Sequence, residues 1–488
     1  MHPLLLPELL SLVLDYIEPE DRPSCSLVCW TWYSNFNPLV WDTCTVDPSP
    51  SPISVQAVKK NAQCIHTLII RGFIAPDYFT VQYPNLHTLK MQCRHMLLGD
   101  PGIDNDTVIQ MWRGAATLIN RSPSLSTIDI AAQRYSIANE IWEAIRNSPK
   151  VKTLILSHVK INAEQSPNFW KACTVLEKLD LDACLFTVAP TPSHFPLLKD
   201  IRFGNLAGIT PENQIHIMSL CPELKSIFWH GGMPISAIHR FTIGIVDRGE
   251  FKKLDSLDLT GLFIRDDDLR RVIKHMKQPI KRLALVQTGF GPSSLTALEL
   301  HFHVIQELNL VDCLEISSKN IARLLRSCPL LVSFKAGELS SLDVKEDESW
   351  PCSDRLLTLL VNIQLAEDDV QAASRRVFAC LSKLTSLRLL NIAKYTSVMG
   401  GSQKSGRPLQ LRLDCGLSLL STLRYLELLI FDRWGQSMTM EEGIWIKTNW
   451  KRLVAIGGKF NDNNEQDIQI RSLFQDLNSR YDRRRLKA

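Results

Sequence analysis

An α/β solenoid of short stacked repeats is the fold class this sequence predicts, and three observations predict it. A pattern L-x-x-L-x-L, with other aliphatic or aromatic residues substituting, runs from Ile65-Leu68-Ile70 through Leu176-Leu179-Leu181 and Ile305-Leu308-Leu310 to weaker copies ending at Trp450-Leu453. Between Val151 and Leu356 its starts fall 22 to 30 residues apart, most often 25 or 26. Stretches with helix-capping signals separate the copies. A period of this length is the signature of a leucine-rich repeat solenoid, with parallel strands on the concave face and helices on the convex face.

Each unit can be justified from its residues. The last two apolar positions of the pattern are two apart, so they share one face of a strand, and the residues between them face solvent. Thr210-Pro211-Glu212 opens a helix, Ser318 precedes another over Lys319–Ser327, and Asp266–Asp268 put negative charge at the start of Leu269–Met276. Pro84, Pro123, Pro149, Pro196, Pro222 and Pro329 each sit two residues before a strand pattern, where proline stops the preceding helix. Neither strand nor helix buries its face alone, so neighbouring units must stack.

Irregular spacing is informative too. The 39 residues between Leu86 and Leu125 leave room for a longer outer helix near Asn105–Asn120. Thr396–Pro408 is rich in Gly, Ser and polar residues and reads as a protruding loop. Asp462 and Glu465 have capping-box spacing ahead of an amphipathic stretch with Ile468, Leu473, Phe474 and Leu477 on or near one face. Such a helix would close the end of the solenoid. The boundaries expected are a helical module at 1–47, a Pro/Ser-rich linker with PSPSP at 48–64, about fifteen repeats at 65–460, and a capping helix with a basic tail at 461–488.

With 55 basic and 51 acidic residues the formal charge is +4, too balanced for bulk attraction to nucleic acid or a membrane. The 13 cysteines contain no C-x-x-C pair, which suits reduced thiols and excludes zinc-ribbon ligand spacing. The N-terminus lacks the basic region and cleavage site of a signal peptide, and no run approaches a membrane span. A soluble protein of the cytoplasm or nucleus is expected.

Motifs for catalysis are missing. Gly401–Gly406 has the glycine spacing of a phosphate loop but continues Arg407-Pro408 instead of Lys then Ser or Thr. His301 and His303 have no cysteine or carboxylate cluster beside them in the sequence. The basic run Arg480–Lys487 reads as a solvated helix end or a weak import signal. No catalytic residue, cofactor or metal is expected, and the chain reads as a non-enzyme.

The first forty residues differ from the rest. Leu10, Leu14 and Ile17 form one helical stripe, and Leu9, Val13 and Tyr16 a second, so this segment must be buried on more than one side. Leu6-Pro7-Glu8, Ser26-Leu27-Val28-Cys29 with Trp32, and Pro38-Leu39-Val40-Trp41 resemble the start, middle helix and end of an F-box. The resemblance implies a three-helix module that binds the Skp adaptor of a cullin–RING ubiquitin ligase through Leu6, Pro7, Leu9, Leu10, Leu14, Ile17, Leu27, Val28, Trp32, Leu39 and Trp41. Cys184 and Cys313, each eight residues into its repeat, resemble the cysteine-containing type of leucine-rich repeat found behind F-boxes. A target protein would then meet the exposed strand residues Asp180, Asp182, Arg202, Phe228, His230, Asp258, Arg282, Glu307 and Lys335. Phe228 is the aromatic anchor candidate among them. The alternative is a ligase-independent interaction scaffold whose N-terminal helices merely cap the solenoid.

Overall fold

The computed structural model describes residues 7–14, 17, 21–48, 52–72, 74–93, 105–133, 136–188, 194–230, 241–245, 251–345, 347–393, 407–431, 435–475 and 477. They form two compact units, Met1–Phe228 and Trp229–Ala488.

In the first unit the strands Thr43–Val46, Thr67–Arg71, Thr88–Gln92, Thr127–Ala131, Thr153–Ser157, Lys178–Asp182 and Asp200–Gly204 pair in parallel, each with the next. Register is strict. Leu68 faces Leu89, Leu89 faces Ile128, and the row continues through Leu154 and Leu179 to Ile201. All of these are fully buried. The first two N–H groups of a strand share one carbonyl of the preceding repeat, as His66 and Thr67 share Asp42 O and Glu177 and Lys178 share Lys152 O. Helices including Val55–Asn61, Asn105–Arg121, Asn139–Asn147 and Ser166–Cys173 form the second layer. Phe169, Trp170, Phe186 and Phe195 meet between the layers with ring centroids 4.7 to 6.0 Å apart. Each large side chain buried this way contributes roughly 1.5–3 kcal/mol.

The ladder starts earlier than the sequence predicts. Thr43–Val46 pairs with Thr67–Arg71, and Ser54 caps the Val55–Asn61 helix by accepting from Ala57 N at 3.2 Å. Most of the stretch read as a linker at 48–64 therefore belongs to a first repeat. Trp41-Cys44-Val46 has the spacing of the pattern without a leucine, which hid it. The Trp30–Trp41 helix runs directly into this repeat, and Asn37 Nδ2 donates to Asn61 Oδ1 at 3.0 Å.

The second unit repeats the plan with Ser256–Asp258, Arg282–Ala284, Glu307–Leu310, Ser333–Ser340, Thr358–Leu365, Leu389–Asn391, Leu428–Ile430 and Ala455–Gly457 in parallel register. The Ser333–Ser340 and Thr358–Leu365 pair is longer and carries a register shift between Lys335 and Glu338. Arg407–Pro408 returns antiparallel against Gln364 and Leu365, while the rest of the predicted loop, 396–406, lies outside the described residues. So does the basic tail.

Helix starts differ in detail. Asp266, in the first turn of its own helix, accepts the N–H groups of Gly291, Ser293 and Ser294 at 2.8 to 3.0 Å and so caps the helix of the next repeat. Ser317, not Ser318, caps Ser318–Ser327, and Ser318 donates to Asp343 Oδ2 at 2.6 Å. Asn463 caps the last helix, Asn464–Ser472, whereas Asp462 accepts from Gly435 N. Its buried residues are Asp467 and Ile470, with Phe474 buried just beyond its end, and Ile468 is 67% exposed, so the amphipathic phase is shifted from the one expected. The reciprocal capping box occurs instead at Thr439 and Glu442.

Equivalent corners recur where each strand ends. His158, Ala183, Asn205, Gln287 and Asp312 have φ between 49° and 59°, each two residues after the last apolar strand position. Beside that corner the thiols of Cys184 and Cys313 donate to Leu156 O and Leu285 O, at 3.4 and 2.9 Å, one repeat back. Burial pushes the Cys184 thiol up to about 12. All 13 cysteines are free.

Two predictions follow from this geometry. Ala183→Gly relieves a left-handed alanine, roughly 1–2 kcal/mol, against about 0.4–1 kcal/mol of added unfolded-chain entropy, so the unfolding free energy of the first unit in urea rises by roughly 0.5–1 kcal/mol. A loss of about 0.5–1 kcal/mol, the entropy cost alone, would exclude strain at that corner. Buried His301 takes the Ile280 N–H on Nδ1 at 3.3 Å, and burial holds its pKa below 6.5. The unfolded chain then binds the proton more tightly. His301's contribution is complete above the ordinary imidazole value and is lost as pH falls below it. Urea unfolding at about pH 7.5 and about pH 5.5 should show this loss in wild type and a flatter profile in His301→Gln.

Candidate functional site

Two surfaces hold the residues singled out above. On the first, the helix Pro7–Leu14 packs on Trp30–Trp41, with Arg22–Ser26 beside it. Leu10 and Phe36 are fully buried, and Phe36 stacks on Trp32 with centroids 5.2 Å apart. Leu10 therefore holds the helices together and cannot itself touch a partner, which corrects its place among the contact residues. Trp32, Leu39, Trp41 and Ile17 are half-buried. Leu6 lies outside the described residues, as do the side chains of Pro7 and Leu14.

What remains outside is strongly apolar. Leu27 is 84% exposed, Trp30 79%, Val28 62% and Leu12 59%, with Leu9 at 37%. Trp30 stacks on Tyr33 at 5.4 Å, which holds its ring at the surface. Exposed apolar residues clustered in one short stretch mark an interaction surface, since folding alone gains nothing from them. Trp30 and Leu12 escaped the sequence reading. Trp30 stands beside the landmark Cys29, and Leu12 lies off both helical stripes.

The second surface is the outward face of the strands. In the first unit Thr43, Thr67, Thr88, Thr127 and Thr153 align across five strands, a hydroxyl row the leucine pattern did not bring out. Beside it Asp180 and Arg202 are register partners at 3.6 Å, and the Arg202 guanidinium lies 4.4 Å over the Phe228 ring. Three predicted residues thus form one cluster: acid, cation and aromatic. Burial pushes the Asp180 carboxyl above its ordinary value, against the pull of Arg202 and Lys178. Asp182 is exposed one step along the same strand.

In the second unit the predicted residues are engaged locally. His230 Nδ1 lies 2.8 Å from Thr260 O, and Asp258 accepts Thr260 N at 3.0 Å. Arg282 donates to Ser256 Oγ at 3.1 Å and stands in register with exposed Glu307. Lys335 is half-buried. Further along, the outward face turns apolar at half-exposed Leu360, Leu389, Leu428 and Ile430, which are neighbours in the ladder. Their signal was a leucine in the solvent position of the pattern. Among the described residues no cluster of three His, Cys, Asp or Glu could hold a metal ion, and no helix is long and apolar enough to cross a membrane.

Residues 3–37 match the family model of the F-box domain. No curated protein matches the chain. Among solved structures it is similar to a chain of the Rad7 and Elc1 complex of yeast, at 14% identity and a TM-score of 0.40, over 74% of this chain and 93% of that one. An internalin of Listeria monocytogenes is similar at 13% identity and a TM-score of 0.36, over 74% and 86%.

Phe228 and Arg202 provide a direct test of the cluster. A double-mutant cycle with Phe228→Ala and Arg202→Ala should give a coupling of about 0.5–1 kcal/mol in urea unfolding, the value of an exposed cation–π pair. Additive single changes would show that the pair is incidental.

Proposed function

We propose that the chain is the target-recruiting subunit of a Skp–cullin–F-box ubiquitin ligase, acting in the cytoplasm or nucleus. The single observation that carries this reading is the exposed apolar set Leu27, Val28 and Trp30 within the matched F-box residues. The module docks on the adaptor through that set, with Leu9 and Leu12 beside it. The repeats, of the cysteine-containing type, hold the target on their outward strand residues, among them Asp180, Arg202 and Phe228. The chain contributes no bond-making group. It raises the effective concentration of the target's lysines near the charged conjugating enzyme.

A ligase-independent scaffold is the second reading, favoured by one observation. The Trp30–Trp41 helix is joined to the first repeat through Asn37 and Asn61, as an end cap would be. Capping alone leaves Leu27, Val28 and Trp30 in water without a role.

Co-purification with the Skp adaptor separates the two. Wild type should bind, and Leu27→Asp with Trp30→Asp should weaken binding about a hundred-fold or more while the unfolding free energy in urea changes by less than about 0.5 kcal/mol. Leu10→Asp is the wrong probe, because it unfolds the module. If wild type does not bind, or the double variant binds as well, the adaptor reading is lost.

A further inference from the structure

The first unit carries a third surface, of different chemistry, on the edge where helices end and strands begin. A cleft of about 540 Å³ opens there, lined among others by Lys59, Lys60, Gln63, Gln82, Pro84 and Arg121. Lys59, Lys60 and Arg121 are exposed, and among the described residues no carboxylate pairs with any of them. The charge extends along the edge. The first four helix-to-strand segments, 58–66, 81–87, 114–126 and 144–152, hold six lysines and arginines and no aspartate or glutamate. Lys152 among them is paired with Glu177 at 3.8 Å, and the cations that line the cleft itself are Lys59, Lys60 and Arg121.

Helix ends account for part of it. The helices Val55–Asn61, Asn105–Arg121 and Asn139–Asn147 point their C-termini at this edge. Each presents roughly half a negative charge, and cations in the last turn answer it. The first two of these ends answer roughly one of the three charges of Lys59, Lys60 and Arg121.

We propose that this cleft binds an acidic peptide segment of a protein partner, separately from the strand face. The lining identifies the class. The amides of Gln63 and Gln82 can exchange hydrogen bonds with a peptide backbone, and Pro84 and the lysine stems give it apolar walls. The lining holds no aromatic ring on which a nucleic-acid base could stack. Lys59, Lys60 and Arg121 come from two successive helix ends and line one cleft, which suits a segment carrying several carboxylates. This proposal does not rest on the adaptor reading, and a failed adaptor capture leaves it standing.

The test is fluorescence anisotropy on the full chain at low ionic strength, with a fluorescein-labelled glutamate-rich peptide of about ten residues. Polythymidine of the same length and phosphatidylserine vesicles are the competing probes. The peptide should bind saturably, more tightly than either competitor, and lose affinity as salt rises. Lys59→Glu with Lys60→Glu and Arg121→Glu should weaken it about ten-fold or more. Lys60→Gln with Arg121→Gln, which leaves the fold less disturbed, should weaken it by a smaller factor with an unchanged urea midpoint. Unsaturable peptide binding, tighter binding of the oligonucleotide or the vesicles, or full peptide affinity in the folded glutamine variant would overturn the proposal.

Discussion

Everything in this structure depends on the parallel bond between one repeat and the next. Paired N–H groups at the strand starts reach back to one carbonyl of the preceding repeat, from Asp42 in the first unit to Glu427 in the second. That bond sets the register, and the register stacks leucine on leucine. A shift of one residue would turn every buried leucine to water, so the arrangement is fixed wherever a helix layer covers one face. No repeat satisfies its own backbone or buries its own face, and stability comes from neighbours.

Side chains reinforce the same direction. Asp266 caps the helix of the following repeat, and the thiols of Cys184 and Cys313 bond carbonyls of the preceding one. Glu442 serves its own helix at Thr439 and also accepts Leu413 N at 3.1 Å. Burial would push its carboxyl up, but these donors outweigh it and hold the group below its ordinary value. Helices cover the first strand, and the Met440–Asn449 and Asn464–Ser472 helices accompany the last. The surfaces proposed for binding lie where stacking leaves groups unused: the exposed apolar residues of the N-terminal helices, the outward strand residues, and the cleft of Lys59, Lys60 and Arg121.

Much of the fold was legible because a repeat states its rule many times. Positions such as Leu176, Leu179 and Leu181 are each read with the support of their counterparts. Where the rule is stated once, reading failed. Trp41-Cys44-Val46 lacks leucine, Asn463 rather than Asp462 caps the last helix, and Ile468 lies on the wet side. Leu10 and Leu27 are both leucines in the same short motif, yet one is fully buried and the other 84% exposed.

The sequence by itself determined the repeat, the direction of its side chains, and the presence of an N-terminal module unlike the rest. Those follow from local periodicity, which a chain carries wherever it goes. Tertiary structure alone decided which apolar residues of that module face water, that Asp180, Arg202 and Phe228 meet, and that cations from distant segments gather on one edge. Each of these is a relation between residues far apart in the chain. Only the stacking of strands about 4.8 Å apart brings such residues together.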